Sequence, residues 1–131
     1  METLTGQVAL ITGGGRGIGA ETAKLLAQHG ATVVLVARTQ AQLEATAAQI
    51  RDAGGKAHWF AADVSDEGAL REAVQGALSI RGSVDILVNN AGFIQAFGSI
   101  ASSDPTDWWR TLEGNLKGLY LTTRLVLPSM L

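Results

Sequence analysis

The chain has 131 residues, 47% of them hydrophobic, and ten basic and twelve acidic side chains that give a formal net charge of −2. This composition predicts one globular domain over residues 1–131 and shows no basic excess for nucleic acid, while the lack of cysteine excludes disulfides, thiolate metal sites and a cysteine nucleophile. We expect no metal site, because the two histidines lack metal-ligand spacing. We also expect no membrane contact and a cytoplasmic location, because neither a signal peptide nor an apolar run of ~18 residues is visible.

Short apolar runs alternate along the chain with stretches of helical spacing. The runs predict buried strands at 8–11, 32–36, 56–62 and 84–89, and the stretches predict helices at 17–30, 39–54 and 66–81. Thr39 and Ser65 are the predicted N-caps of the second and third helices. A loop over 91–104 then leads to a long helix that begins at Pro105.

This order of elements predicts an α/β fold, a doubly wound parallel sheet with helices on both faces. Right-handed crossovers give the strand order 3-2-1-4, with strand four at an edge. Because this edge strand carries the uncovered apolar run Ile86-Leu87-Val88, we expect the sheet to be incomplete on its C-terminal side. Open α/β sheets bind ligands in the crevice at the carboxyl ends of the strands where the order reverses. Two distinctive stretches converge there, namely 12–19 and 89–92.

The first of these stretches is rich in glycine: five of the sixteen glycines lie between Gly13 and Gly19. The loop opens a helix whose free N–H groups and dipole favour an anion such as a pyrophosphate. Side chains at Gly13, Gly17 or Gly19 would block the turn, the ligand or the contact between helix and strand. A glycine-rich turn without a ligand is the alternative. A P-loop is excluded, because Ala20-Glu21 stand where Lys-Ser/Thr is required.

The end of the second strand selects the cofactor. An acidic residue there would bind the ribose hydroxyls of NAD or of adenosylmethionine, but this chain has Ala37-Arg38-Thr39. A guanidinium suits a 2′-phosphate, and a charge-assisted contact of about 1.5–3 kcal/mol favours NADP(H) over NAD(H) by roughly ten- to a hundred-fold. Arg16 would add a second positive charge. The alternative for each arginine is a solvated surface position.

Asp63 and Val64 end the third strand, near the expected position of an adenine. An aspartate at this point either accepts a hydrogen bond from the adenine amino group or forms a turn before the Ser65 cap. Both interpretations remain open from the sequence.

Taken together, these stretches resemble the short-chain dehydrogenase/reductase family. The motifs that carry the resemblance are Thr12-Gly13-x-x-x-Gly17-Ile18-Gly19, Asp63-Val64, Asn89-Asn90-Ala91-Gly92 and Gly114-Asn115-Leu116. The resemblance implies a Rossmann-type oxidoreductase that moves a hydride between the nicotinamide of NADP(H) and a carbonyl or alcohol carbon of a small-molecule substrate. The implied cofactor-binding residues are Gly13, Gly15, Arg16, Gly17, Ile18, Gly19, Arg38, Asp63, Val64, Asn89, Asn90, Ala91 and Gly92.

The catalytic residues of the family are almost absent from this chain. Asn115 matches the asparagine that holds a water in the proton relay of the family, although a polar residue bonding the backbone within a helix is the alternative. The catalytic serine and the Tyr-x-x-x-Lys pair have no counterpart. Tyr120 and Lys117 lie on the wrong helix, and Arg124 cannot replace the lysine. We therefore expect the N-terminal, cofactor-binding part of a longer reductase, inactive alone.

The last helix predicts association. Dimers of the family are built partly around this helix, so we expect a homo-oligomer through it. A non-catalytic dinucleotide-binding or dimerisation module is the alternative function. Phe93 and Phe97 follow the Asn-Ala-Gly turn, and they either contact the apolar part of a substrate or anchor the loop.

Overall fold

A computed structural model describes residues 3–94, 96 and 98–131. The strands are β1 (Val8–Thr12), β2 (Thr32–Ala37), β3 (Lys56–Ala61) and β4 (Ile86–Val88). The helices are α1 (Gly17–Gln28), α2 (Gln40–Asp52), α3 (Glu67–Arg81), α4 (Pro105–Leu112) and α5 (Gly118–Met130), with a π turn (Glu113–Lys117) between the last two and a 3-10 turn at Ile100–Ser102. The predicted alternation of strands and helices is confirmed.

The four strands form one parallel sheet in the order β3-β2-β1-β4, as predicted. Ile11 of β1 pairs with Leu35 of β2 on one side and with Val88 of β4 on the other. Every residue of β1 is buried, which explains its unbroken apolar run. The sheet ends at β4 on one side, so the switch in strand order lies between β1 and β4.

Helices cover both faces of the sheet. On one face, Ile11 and Leu35 pack with Ala23 of α1 and Leu43 of α2. On the other, alternate strand residues such as Leu10 and Val34 pack with α3 and α5 through Leu70, Leu121 and Val126. In the described part of the chain, no helix is both long enough and apolar enough to cross a membrane.

The predicted cap of the third helix is wrong. Asp66 is the N-cap of α3, and its carboxylate accepts a hydrogen bond from the Ala69 N–H at 3.2 Å. Ser65 belongs instead to the turn before the helix, because its N–H and its hydroxyl both donate to Asp63 Oδ1, at 2.9 and 2.7 Å. Thr39 does occupy the N-cap position of α2, but its side chain makes no capping bond.

The long last helix is interrupted. The sequence predicts a helix that runs without a break from Pro105, whereas the structure places the π turn between α4 and α5. A π turn adds one residue to a helical turn, which apolar spacing does not reveal. Asn115 lies inside this turn, and its amide bonds the backbone of the loop after β4.

Candidate functional site

A cleft of about 370 Å³ opens at the carboxyl ends of the strands. Its lining comes from the glycine loop, from the ends of β2 and β3, and from the segment after β4. Eleven of the sequence-predicted residues lie together there, namely Gly13, Gly15, Arg16, Gly17, Ile18, Arg38, Asp63, Val64, Asn90, Ala91 and Gly92. The two stretches expected to converge do so, whereas Gly19, Asn89 and Asn115 do not line this cleft.

Hydrogen bonds join the two walls of the cleft. The hydroxyl of Thr12 at the end of β1 accepts from the N–H groups of Asn90 and Ala91, at 3.1 and 3.0 Å. The Asn90 side chain adds a second link between the same two segments, because its Nδ2 donates to the Gly13 carbonyl at 3.2 Å. Thr12 is only 2% exposed, so these bonds are shielded from competing water.

Two glycines of the loop fit where no side chain would. Gly13 has a φ of +66°, and a Cβ there would lie 2.8 Å from Asn90 Nδ2. A Cβ on Gly19 would overlap the Gly13 carbonyl oxygen. Gly19 is thus buried under the loop and shapes it from behind, which is why it does not line the cleft.

Gly17 differs from these two. Its φ is +57°, yet nothing lies within 4 Å of the position of an added Cβ. The loop therefore leaves open space at the first residue of α1. The first N–H groups of a helix have no partner within the helix, so this space faces free donors and the positive end of the helix dipole. The geometry suits an anionic group.

Charge in the cleft is mainly positive. Arg16 and Arg38 are exposed at its mouth, and Asp63 is the one carboxylate among the described lining residues. The Arg38 Cζ lies 5.3 Å from the centroid of the Phe93 ring, within the range of a cation–π contact.

The two interpretations of Asp63 are now separable in part. Its Oδ1 accepts from both donors of Ser65, which is the turn interpretation. The residue also lines the cleft beside Val64. Adenine recognition by Asp63 stays a prediction.

Asn89 faces away from the cleft. Its Nδ2 donates to the Thr123 hydroxyl of α5 at 3.0 Å. Successive side chains of an extended chain point to opposite faces, so with Asn90 directed at Gly13 its neighbour Asn89 must face the helix. A cofactor contact by Asn89 stays a prediction.

Asn115 fastens the loop after β4. Its Oδ1 accepts from the Phe93 N–H and its Nδ2 donates to the Phe93 carbonyl, both at 2.8 Å. Gly114 receives the Phe93 ring, which would collide with any Cβ there. These bonds go to the backbone of a loop 22 residues earlier in the sequence rather than to the backbone of the helix, and a catalytic role of Asn115 stays a prediction. Of the two phenylalanines singled out in the sequence, Phe93 lines the cleft and Phe97 lies outside the described residues.

Sequence reasoning missed part of the lining. Besides Phe93, the added residues are Ala37, Thr39, Gln42, Ala62 and Gly114. Four of them adjoin predicted residues or strand ends, so their position next to those residues in the sequence could have indicated that they line the cleft. Gln42 lies one turn into α2 after the Thr39 cap, and only the helical period would have placed it at the cleft.

A parallel sheet in the order 3-2-1-4, with a glycine loop leading into a helix at the switch point, defines the Rossmann-type class of folds. Residues 7–131 match the family model described as short chain dehydrogenase. The chain therefore belongs to the short-chain dehydrogenase family, as its motifs indicated. Over 131 residues it is 41% identical to the ketoacyl reductase HetN of Nostoc sp., covering 100% of this chain and 45% of that protein.

Solved structures give the same result. The fold is similar to that of a 3-ketoacyl-ACP reductase from Sinorhizobium meliloti, with a TM-score of 0.91, 43% identity, and coverage of 94% of this chain and 48% of that one. It is also similar to a metagenomic short-chain oxidoreductase in complex with NADP, with a TM-score of 0.92, 42% identity, and coverage of 97% and 57%. The chain spans about half the length of the relatives that it matches.

Proposed function

We propose that this chain is the cofactor-binding part of an NADP(H)-dependent oxidoreductase acting on a carbonyl or alcohol carbon of a small molecule. The observation that carries the proposal is the exposed Arg38 guanidinium at the end of β2, where an NAD-binding chain would present a carboxylate. The nicotinamide would supply the hydride chemistry when bound. The residues of this chain would bind and orient the cofactor.

The cleft residues fit the parts of such a cofactor. The open space at Gly17 and the start of α1 suit a pyrophosphate. Arg38 and Arg16 suit a ribose 2′-phosphate, since a guanidinium binds phosphate through paired N–H donors. Asp63, Val64 and the segment 90–92 would enclose the adenosine. The solved relative that contains NADP supports the same cofactor.

Binding measurements test this proposal. The purified chain is titrated with NADPH and with NADH, and each dissociation constant is read from nucleotide fluorescence. We expect tighter binding of NADPH, and a roughly ten- to hundred-fold loss of that affinity in Arg38→Ala with little change for NADH. Arg71→Ala is the matched control, because Arg71 pairs with Glu67 on α3, away from the cleft. Equal affinities for the two nucleotides before and after Arg38→Ala would overturn the NADP(H) preference.

The proposal includes a lack of turnover by this chain alone. Its single tyrosine, Tyr120, is followed by Arg124 rather than by a lysine at the spacing of the family, and it lies on α5 just after the Asn115 turn. Arginine does not release a proton near neutral pH, so it cannot replace a lysine in a proton relay. NADPH oxidation with a panel of aldehydes and ketones should equal the rate without protein. A sustained rate that follows this chain through purification would contradict the proposal.

The proposal also includes self-association of the chain through its last helix. Leu116, Leu119 and Leu127 are 63%, 47% and 43% exposed, and such a set of large apolar side chains favours a partner surface. A second copy of the chain is the proposed partner, and light scattering should give twice the monomer mass. Leu119→Glu should shift the protein towards monomer.

The same surface also favours a second candidate function, a non-catalytic dinucleotide-binding or dimerisation module. A reading frame that continues into Tyr-x-x-x-Lys would exclude this second candidate.

A further inference from the structure

We propose that Phe93 is a specificity-determining residue, whose ring positions the Arg38 guanidinium for a ribose 2′-phosphate and thereby sets the preference between the two nicotinamide cofactors. The inference rests on the proposed NADP(H) function and names the residue on which the phosphate preference depends. Both side chains line the same cleft.

Arg38 has little else to hold it. The residue is exposed, and in the part of the chain that the structure describes no carboxylate or carbonyl accepts a hydrogen bond from its side chain. Its contact is the Phe93 ring, 5.3 Å from Cζ to the ring centroid. A ring contact uses none of the planar N–H donors, so the guanidinium is restrained while its donors stay available to an anion.

Phe93 is itself held firmly. The Asn115 amide bonds both backbone polar groups of Phe93 at 2.8 Å. The ring lies against Gly114, in space that any larger residue would fill. The contacts therefore run from the π turn through Phe93 to Arg38, and the ring restricts the conformations of the exposed arginine. Pre-organising a binding side chain raises affinity, since less conformational freedom is lost on binding.

A double-mutant cycle tests the inference with probes that carry only the adenosine end of the cofactor. Adenosine 2′,5′-bisphosphate and adenosine 5′-monophosphate differ by the 2′-phosphate alone. Their affinities are measured by calorimetry for the unchanged chain, Phe93→Leu, Arg38→Ala and the double variant. We expect Phe93→Leu to reduce the preference for the bisphosphate about two- to five-fold when Arg38 is present. We expect no such change when Arg38 is absent. Phe93→Tyr keeps the ring and should keep the preference.

Each other outcome counts against the inference. If Phe93→Leu weakens both probes equally, the ring supports the adenosine or the fold in general and the inference is wrong. If Arg38→Ala abolishes the preference while Phe93→Leu keeps it, the inference fails and the proposed NADP(H) function stands. If the unchanged chain does not prefer the bisphosphate, both fail together. Urea unfolding establishes that each variant is folded, and Phe93→Met replaces Phe93→Leu should the latter not fold.

Discussion

The Thr12 hydroxyl accepts a hydrogen bond from the Asn90 N–H across 3.1 Å, which ties the end of β1 to the end of β4. The same oxygen also accepts from the Ala91 N–H at 3.0 Å. One buried side chain at a strand end therefore links the glycine loop to the segment after β4.

Thr12→Val should remove the two hydrogen bonds from Asn90 and Ala91 while keeping the shape of the side chain. Two backbone N–H groups lose their acceptor, and we expect a loss of about 1–3 kcal/mol in the free energy of unfolding. Thr12→Ser is the matched control, because it keeps the hydroxyl and loses one methyl group, for less than about 1 kcal/mol. Urea unfolding followed by tryptophan fluorescence measures both. Equal midpoints for the two variants would show that the hydroxyl does not carry this effect.

Gly19→Ala should be far more damaging than an ordinary glycine-to-alanine change in a helix. The new methyl group would overlap the Gly13 carbonyl oxygen and lie near Asn90 Nδ2, so the loop must move. We expect destabilisation of about 1–3 kcal/mol, as for overpacking of a core, and weaker nucleotide binding. Gly68→Ala in α3 is the control, because its methyl group would meet only Asp66 Oδ1, at 3.6 Å. The control should be neutral or stabilising, and similar thermal midpoints for the two variants would refute the steric argument.

Most of the fold and much of the cleft could be predicted, because both follow from regular signals. Buried strands such as β1 are unbroken apolar runs, and right-handed crossovers leave one strand order. The carboxyl ends of neighbouring parallel strands must meet, so the glycine loop and Asn90 were expected together without any structure.

Features that depend on side-chain direction or on competition between neighbours could not be predicted. Ser65 and Asp66 are both good N-cap residues, and the bonds of Ser65 to Asp63 leave the cap to Asp66. Asn115 in the π turn bonds a loop residue 22 positions earlier in the sequence, and no local pattern encodes that contact. The contact of Arg38 with Phe93 likewise joins two segments that are unrelated in sequence.

Asp66→Ala tests the corrected cap of α3. The change removes the acceptor of the Ala69 N–H, and we expect a loss of about 1 kcal/mol in the free energy of unfolding. Asp66→Ser keeps a capping oxygen and should retain most of the stability. Circular dichroism during urea titration measures both variants. A loss as large for Asp66→Ser as for Asp66→Ala would mean that the capping bond is not what stabilises this end of α3.

Asn115→Asp tests whether the amide, rather than the shape of the side chain, holds the loop after β4. The Oδ1 bond to the Phe93 N–H can persist, but a second carboxylate oxygen would replace the donor that faces the Phe93 carbonyl at 2.8 Å. Two acceptors then oppose each other. We expect a loss of about 0.5–1.5 kcal/mol at neutral pH, the net worth of one hydrogen bond, because both groups can still reach water.

Asn89→Asp provides the matched control for this change. The Asn89 amide donates to the Thr123 hydroxyl, which can rotate to donate to a carboxylate instead. That hydroxyl now donates to the Leu119 carbonyl at 2.7 Å, so reversal exchanges one bond for another and the net loss should stay below about 0.5 kcal/mol. Thermal unfolding at neutral pH compares the two variants directly. If Asn89→Asp were as destabilising as Asn115→Asp, the loss of stability would come from the added charge. The two hydrogen bonds of the Asn115 amide to Phe93 would then not be what positions the loop.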